Sequence, residues 1–199
     1  MRYLKFFLLV FVLWNAADSE AQVRIGSCSS VNNYDKFYIT PYVGAGYAKI
    51  NREDIGKGKM FSYYGGISGL YNAGGFRIGL GFRYQQYNEK YDFQNVAGTN
   101  KYSYLKPYFA FELPLVFDDF YDFGLYLNAG ADLPLKRTMT NGGFMADAGL
   151  YYNWVLTSSS GLYFALDYGF NSLSMNYNSA SKSVMINEIK FSIGYRFWF

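Results

Sequence analysis

The chain has no histidine, a single cysteine, four prolines and only 17% charged residues among its 199. Each shortage excludes something. Without histidine, a serine nucleophile loses its usual general base, and zinc or copper lose their commonest ligand. The lone cysteine, Cys28, cannot form an internal disulfide even in an oxidising compartment. Charge is balanced as well as scarce. Lys and Arg number 18 and Asp and Glu 15, a net +3 spread along the chain, which gives no footprint for nucleic acid. No stretch approaches the roughly 20 apolar residues of a membrane helix. If the chain resides in a membrane, it must cross it as a closed barrel, because only helices and closed barrels satisfy every backbone group in lipid.

Aromatics are abundant, at 22% of residues, and are mostly Tyr and Phe; glycine is also frequent, at 21 residues. The first residues read as a secretory signal. Arg2 and Lys5 are a basic start, Phe6 to Trp14 is a short apolar run, and Ser19-Glu20-Ala21 offers small residues to a peptidase. The expected organisation is a signal peptide over 1–21, a short periplasmic tail over 22–35 and one domain over 36–199. Cys28 lies too far beyond the apolar run to be a lipoprotein acylation site.

Eight segments alternate between apolar and polar or small residues. They run Phe37–Tyr47, Phe61–Tyr71, Phe76–Tyr84, Tyr104–Leu113, Tyr121–Leu133, Phe144–Trp154, Leu162–Phe170 and Ile189–Phe199. Period-2 alternation is the mark of a strand with two different faces, and ~9–11 residues suit a tilted membrane strand. Asn72-Ala73-Gly74-Gly75, Pro114 to Asp119 and Thr157 to Gly161 read as short turns. The stretches Ile50–Met60, Gln85–Ser103, Pro134–Gly143 and Asn171–Glu188 read as longer loops at the other end. Pro41 and Pro107 fall inside segments, and each predicts a bulge or a position near the membrane boundary.

Alternation alone leaves open a soluble, lipocalin-like barrel with its apolar face inside. The charges favour the inverse arrangement. The less apolar face carries Arg77, Arg83, Lys106, Lys190 and Arg196 together with Glu112, Asp122, Asp132, Asp147 and Asp167. It is also rich in glycine, which weakens an exposed strand but makes room in a crowded interior. The opposite face is nearly free of charge, as lipid requires. Tyr47, Tyr71, Tyr84, Tyr121, Phe123, Tyr152, Trp154, Phe197 and Phe199 lie near segment ends, where interfacial aromatics belong. Strand direction sorts the enclosed charges into two tiers. Arg77, Glu112, Asp122 and Arg196 fall at the short-turn end; Arg83, Lys106, Asp132, Asp147 and Lys190 fall at the other. Arg77–Glu112 is the expected contact between neighbouring strands.

No catalytic, cofactor or metal residue is assigned. Asp118-Asp119 reads as a turn, and Asn51-Arg52-Glu53-Asp54 as a solvated loop, not a calcium site. Arg52, Glu53, Asp54, Lys57, Lys59, Tyr87, Glu89, Lys90, Tyr91, Asp92, Lys101 and Tyr102 would be loop residues available to a surface ligand.

The eight segments and the ending Tyr195-x-Phe197-x-Phe199 resemble the small outer-membrane β-barrel superfamily, which includes the OmpA transmembrane domain, the OmpX/Ail adhesins and the opacity-type porin-like proteins. Phe37 to Tyr47 is similar to the first strand of opacity-type members. The resemblance implies an all-β, eight-stranded, antiparallel up-and-down transmembrane barrel in the bacterial cell outer membrane. It implies Tyr195, Phe197 and Phe199 as a signal read by the outer-membrane assembly machinery. It further implies lipid as the surrounding partner, a monomer, and either a membrane-integrity role or adhesin-type binding through the outer loops. Some barrels of this kind are enzymes, and the lack of histidine is what argues against enzyme activity here.

Overall fold

A computed structural model describes residues 37–52, 56–93, 96–118, 120–135, 140–177 and 180–199. The signal segment, the tail with Cys28, and Glu53, Asp54 and Asp119 lie outside the described residues. Eight strands follow one another: β1 (Phe37–Arg52), β2 (Gly56–Asn72), β3 (Arg77–Phe93), β4 (Val96–Phe117), β5 (Tyr121–Pro134), β6 (Thr140–Thr157), β7 (Ser160–Tyr177) and β8 (Ala180–Trp198). Each pairs antiparallel with its sequence neighbours, and β8 returns to β1 to close the barrel. Reciprocal backbone bonds between Phe37 and Phe199, 3.3 and 3.0 Å, tie the seam at its lower end.

The hydrophobic face is outside. Leu80 and Leu127 are 56% and 49% exposed, while Arg83 and Asp147 are 3% and 1% exposed. This excludes the lipocalin-like arrangement, which would bury the apolar face and expose the charges. From Phe37 to Tyr47 the outward residues of β1 are apolar or aromatic throughout. Those ten steps at ~3.3 Å, on a strand tilted ~40°, give an apolar band of roughly 25 Å, matching the hydrocarbon height of membrane barrels. In water, a continuous band of that size would drive association.

Three tight connections close the lower end. At residues 73–76 the Ala73 N–H donates to the Phe76 carbonyl at 2.9 Å, and Gly74 and Gly75 adopt φ of 83° and 122°. That region strains any residue with a Cβ. Between β4 and β5 the Asp118 N–H donates to the Tyr121 carbonyl at 2.8 Å. After β6, the Thr157 and Ser160 hydroxyls pair at 2.7 Å.

The upper end departs from the sequence reading. The expected long loops are mostly strand, and only residues 53–55, 94–95, 135–139 and 178–179 lie between strand ends. The strands run from 14 to 22 residues, beyond the apolar band. The cause is an inversion of the pattern. Above the band, many inward positions become apolar, around the buried Gln85, Glu89 and Glu188, and most outward ones polar, while the two-residue period continues. Ala48, Ile50, Met60, Tyr87, Tyr102, Tyr104, Leu173, Val184 and Ile186 form a buried cluster there. Lys49, Asn51, Lys59 and Lys101 face out. The barrel thus continues past the lipid as a small water-facing barrel with its own core.

Neither proline produces a bulge. Pairing of β1 with β8 skips Thr40 and Pro41, and pairing of β4 with β5 skips Lys106 and Pro107, with the register unchanged on either side. Proline lacks a donor on one side only, so one rung opens and the other neighbour stays paired. The register shifts fall elsewhere, at Pro114/Val116, Thr140/Gly143 and Val155/Thr157, all near strand ends.

Candidate functional site

The site is the lumen. Each charged residue reaches it because an inward strand position alternates with an outward apolar one. In the lower tier, Arg77 Nη1 lies 3.2 Å from Glu112 Oε2 and 2.6 Å from Asp122 Oδ2. Arg77 and Glu112 are direct cross-strand partners on β3 and β4. Arg196, from β8, grips the same carboxylate with two bonds, Nη1 to Oε2 at 3.0 Å and Nη2 to Oε1 at 2.5 Å. Its Nε donates to Thr40 Oγ1 at 3.0 Å, which bridges the seam where Pro41 has opened the ladder. The Tyr151 hydroxyl donates to Asp122 at 2.9 Å. Arg77 stacks 4.3 Å above the Tyr38 ring and Arg196 4.4 Å above Tyr163, so the guanidinium faces meet aromatic faces.

The upper tier joins three cations to three carboxylates. Arg83 lies 2.8 Å from Asp147; Lys190 lies 2.5 Å from Asp147 and 2.9 Å from Asp167; Lys106 lies 2.8 Å from Asp132. Lys106 also donates to Asn171 at 2.7 Å and to the Tyr87 hydroxyl at 3.1 Å. Tyr126 donates to Asp167. All ten of these charged residues are buried. Buried charges this crowded need mutual pairing, because leaving one alone is far more costly than leaving the group intact.

Two carboxylates that the sequence placed in or beside loops also belong here. Glu188 accepts from Gln85 Nε2 at 2.8 Å, from the Tyr87 hydroxyl at 3.1 Å and from Ser62. Glu89 accepts from the Tyr102 hydroxyl at 3.0 Å. Glu89, Tyr87 and Tyr102 are therefore interior residues, not surface ones. The signal that could have found them is the unbroken two-residue period through Arg83, Gln85, Tyr87 and Glu89. Lys59 and Lys101 are exposed, as a surface role requires. The side chains of Arg52, Glu53, Asp54, Lys57, Lys90, Tyr91 and Asp92 lie outside the described residues.

Between the tiers the Tyr42 and Tyr108 hydroxyls meet across the lumen at 2.8 Å. Glycines make this possible. A Cβ on Gly81 would overlap the Tyr108 ring, and one on Gly44 would overlap the Tyr64 ring. A cavity of about 30 Å³ lies beside Tyr42, Arg83, Tyr108, Tyr126, Asp167 and Ser192. That is room for about two waters. Tyr38, Leu70, Tyr108, Ala110, Met145 and Trp198 form a second buried cluster, and Trp198 Nε1 donates to the Ser158 carbonyl at 2.7 Å. Tyr195, Phe197 and Phe199 sit on the outward wall of the last strand. The Tyr195 hydroxyl pairs with Ser160 at 2.8 Å, and its ring lies 4.9 Å from that of Phe197.

A closed eight-stranded barrel with a lipid-facing apolar belt and an ion-paired interior has the fold of the small outer-membrane β-barrels. The solved structures similar to it agree. Neisserial surface protein A shares 16% identity and a TM-score of 0.50, over 82% of this chain and 97% of that one. The outer membrane protein OprG from Pseudomonas aeruginosa shares 11% identity and a TM-score of 0.54, over 83% and 97%. The chain matches no protein-family model and no curated protein.

Proposed function

We propose that this chain is an integral barrel of the bacterial outer membrane that is sealed to ions and solutes and serves membrane integrity. The observation that carries the reading is the filled lumen. Two ion-paired tiers, the Tyr42–Tyr108 bridge and the apolar cluster around Tyr87 and Tyr104 succeed one another along the axis. A barrel of eight strands is just wide enough for its side chains to fill it. Tyr195, Phe197 and Phe199 serve as the assembly signal, and residues 1–21 as the leader cleaved near Ala21. The barrel acts as a monomer and carries out no chemistry of its own.

The test is planar-bilayer recording of the refolded protein, alongside its heat-modifiable migration in SDS gels. The expected result is a heat-modifiable band with no steady conductance. Steady ohmic channels would refute the sealed lumen; a band that never shifts with heating would refute the barrel. One observation favours surface binding as a second reading. The strands extend past the apolar band around a core of their own, which holds the outer hairpins on a rigid stalk. Loss of ligand or cell-surface binding on shortening those hairpins would support it.

A further inference from the structure

Of the cations whose side chains are described, five are buried and ion-paired in the lumen: Arg77, Arg83, Lys106, Lys190 and Arg196. The other three, Lys49, Lys59 and Lys101, are exposed on the outward wall above the apolar band. The one exposed carboxylate among the described residues, Asp118, sits at the opposite end, in the turn before β5. Lys49 and Lys59 are direct cross-strand partners on β1 and β2. Partners of this kind hold their Cβ atoms ~5 Å apart, and like charges so placed destabilise the sheet. The next outward-facing rung below, past Ala48 opposite Met60, is Tyr47 opposite Phe61, the upper edge of the band. The pair therefore stands where the headgroups of the outer leaflet begin.

A second feature lies directly beneath. The outward positions of β2 descend Lys59, Phe61, Tyr63, Gly65, Ile67, Gly69. A Cβ on Gly65 would meet only Val43 Cγ1 at 3.6 Å and the Tyr42 carbonyl at 3.7 Å, and one on Gly69 would meet nothing within 4 Å. Packing does not require glycine at either place, in contrast to Gly81 and Gly44 inside. The absent side chains leave a shallow depression in the wall, flanked by Val43 and by Tyr84, the β3 partner of Gly65.

We propose that Lys49 and Lys59 clasp a phosphate of an outer-leaflet lipid whose acyl chain lies in the depression at Gly65. An anion between the two ammonium groups converts their repulsion into two attractive contacts, and the charges near the boundary are weakly screened by lipid. Tyr47 and Phe61 cover the junction of headgroup and chain. Lys101 stands farther out, on the β4 partner position of Asn88, and extends the cationic field on the same side.

The proposal rests on the membrane-barrel reading, and its test keeps the two apart. The probe is bis-phosphorylated lipid A, added to the folded protein in phosphatidylcholine nanodiscs and followed by native mass spectrometry. The dephosphorylated glycolipid and inorganic phosphate serve as comparisons, and heat-modifiable migration reports the fold in every variant. Wild type should retain the phosphorylated lipid. The Lys49→Gln/Lys59→Gln variant should retain it about 30-fold less well, as two cationic contacts near the surface imply. Gly65→Leu, which fills the depression, should weaken retention severalfold. Inorganic phosphate should not displace the lipid. Equal retention by the double variant, equal retention of the dephosphorylated lipid, no effect of Gly65→Leu, or displacement by inorganic phosphate would each overturn the proposal. A normal heat shift in those samples would leave the barrel itself standing.

Discussion

Replacing Glu112 by Gln should weaken this barrel more than almost any other single-atom change. Glu112 is 4% exposed and accepts from two arginines, Arg77 at 3.2 Å and Arg196 at 3.0 and 2.5 Å. The amide keeps the shape but removes the charge and offers an N–H2 group toward a guanidinium. Asp122 is then the one carboxylate left for both cations in the lower tier. Breaking a buried ion pair from one side costs about 3–5 kcal/mol, because a charge is left uncompensated in a poor solvent. For a chain of this size ~1 kcal/mol corresponds to roughly 2–4 °C in melting temperature, so a fall of about 10 °C is expected. The assay is the temperature at which the folded band disappears from an SDS gel, with urea unfolding in lipid as a check. Asp118→Asn, at an exposed turn, should change stability by less than about 0.5 kcal/mol and serves as the control. A double-mutant cycle with Arg196→Met separates the pair from its surroundings: the second change should recover part of the loss, since replacing both members is gentler than orphaning one. An E112Q midpoint equal to wild type would refute the reasoning.

Other outcomes follow from the same geometry. Leu127→Arg places a charge in the lipid-facing belt and should cost about 2–4 kcal/mol, read as a lower urea midpoint in vesicles; no change would mean that Leu127 does not face hydrocarbon. Gly81→Ala drives a methyl group into the Tyr108 ring and should destabilise by about 1–3 kcal/mol, with Tyr108→Ala in the same chain relieving the clash. A G81A barrel as stable as wild type would remove the aromatic-over-glycine packing from the account. Arg196→Lys should loosen the seam, because a single ammonium cannot hold Glu112 twice and also reach Thr40. Faster proteolysis or amide exchange at residues 37–42 is the expected sign, and unchanged exchange there would contradict it.

The membrane-spanning part was legible because two physical demands act on each strand at once. In Phe76–Tyr84, lipid asks for Ile78, Leu80 and Phe82 outside, while a narrow lumen asks for Arg77, Gly79, Gly81 and Arg83 inside. Strand direction then brings Arg77 to the level of Glu112, where the register places it. The part above the lipid was not legible, because the solvent around the barrel changes there while the period does not. Tyr87, Tyr102 and Glu89 look like polar loop residues when an outward apolar partner is the test of a strand. They are interior because water, not hydrocarbon, now surrounds the wall. The prolines misled for a related reason. A missing donor predicts a bulge or a place near the membrane boundary, yet in a barrel it opens one rung on one side, and at Pro41 the Arg196–Thr40 bond spans the opening. Glu188 reads as the end of a loop, although it heads the same inward row as Lys190 and Arg196.

Contact between hydrocarbon and the outward row is the most direct thing to measure. In isotope-labelled protein reconstituted in lipid, magnetisation should pass from acyl chains to the methyl groups of Leu80 and Leu127, and not to Met145, which is fully buried in the lumen. Acyl-chain contact at Met145, or its absence at both leucines, would contradict the account.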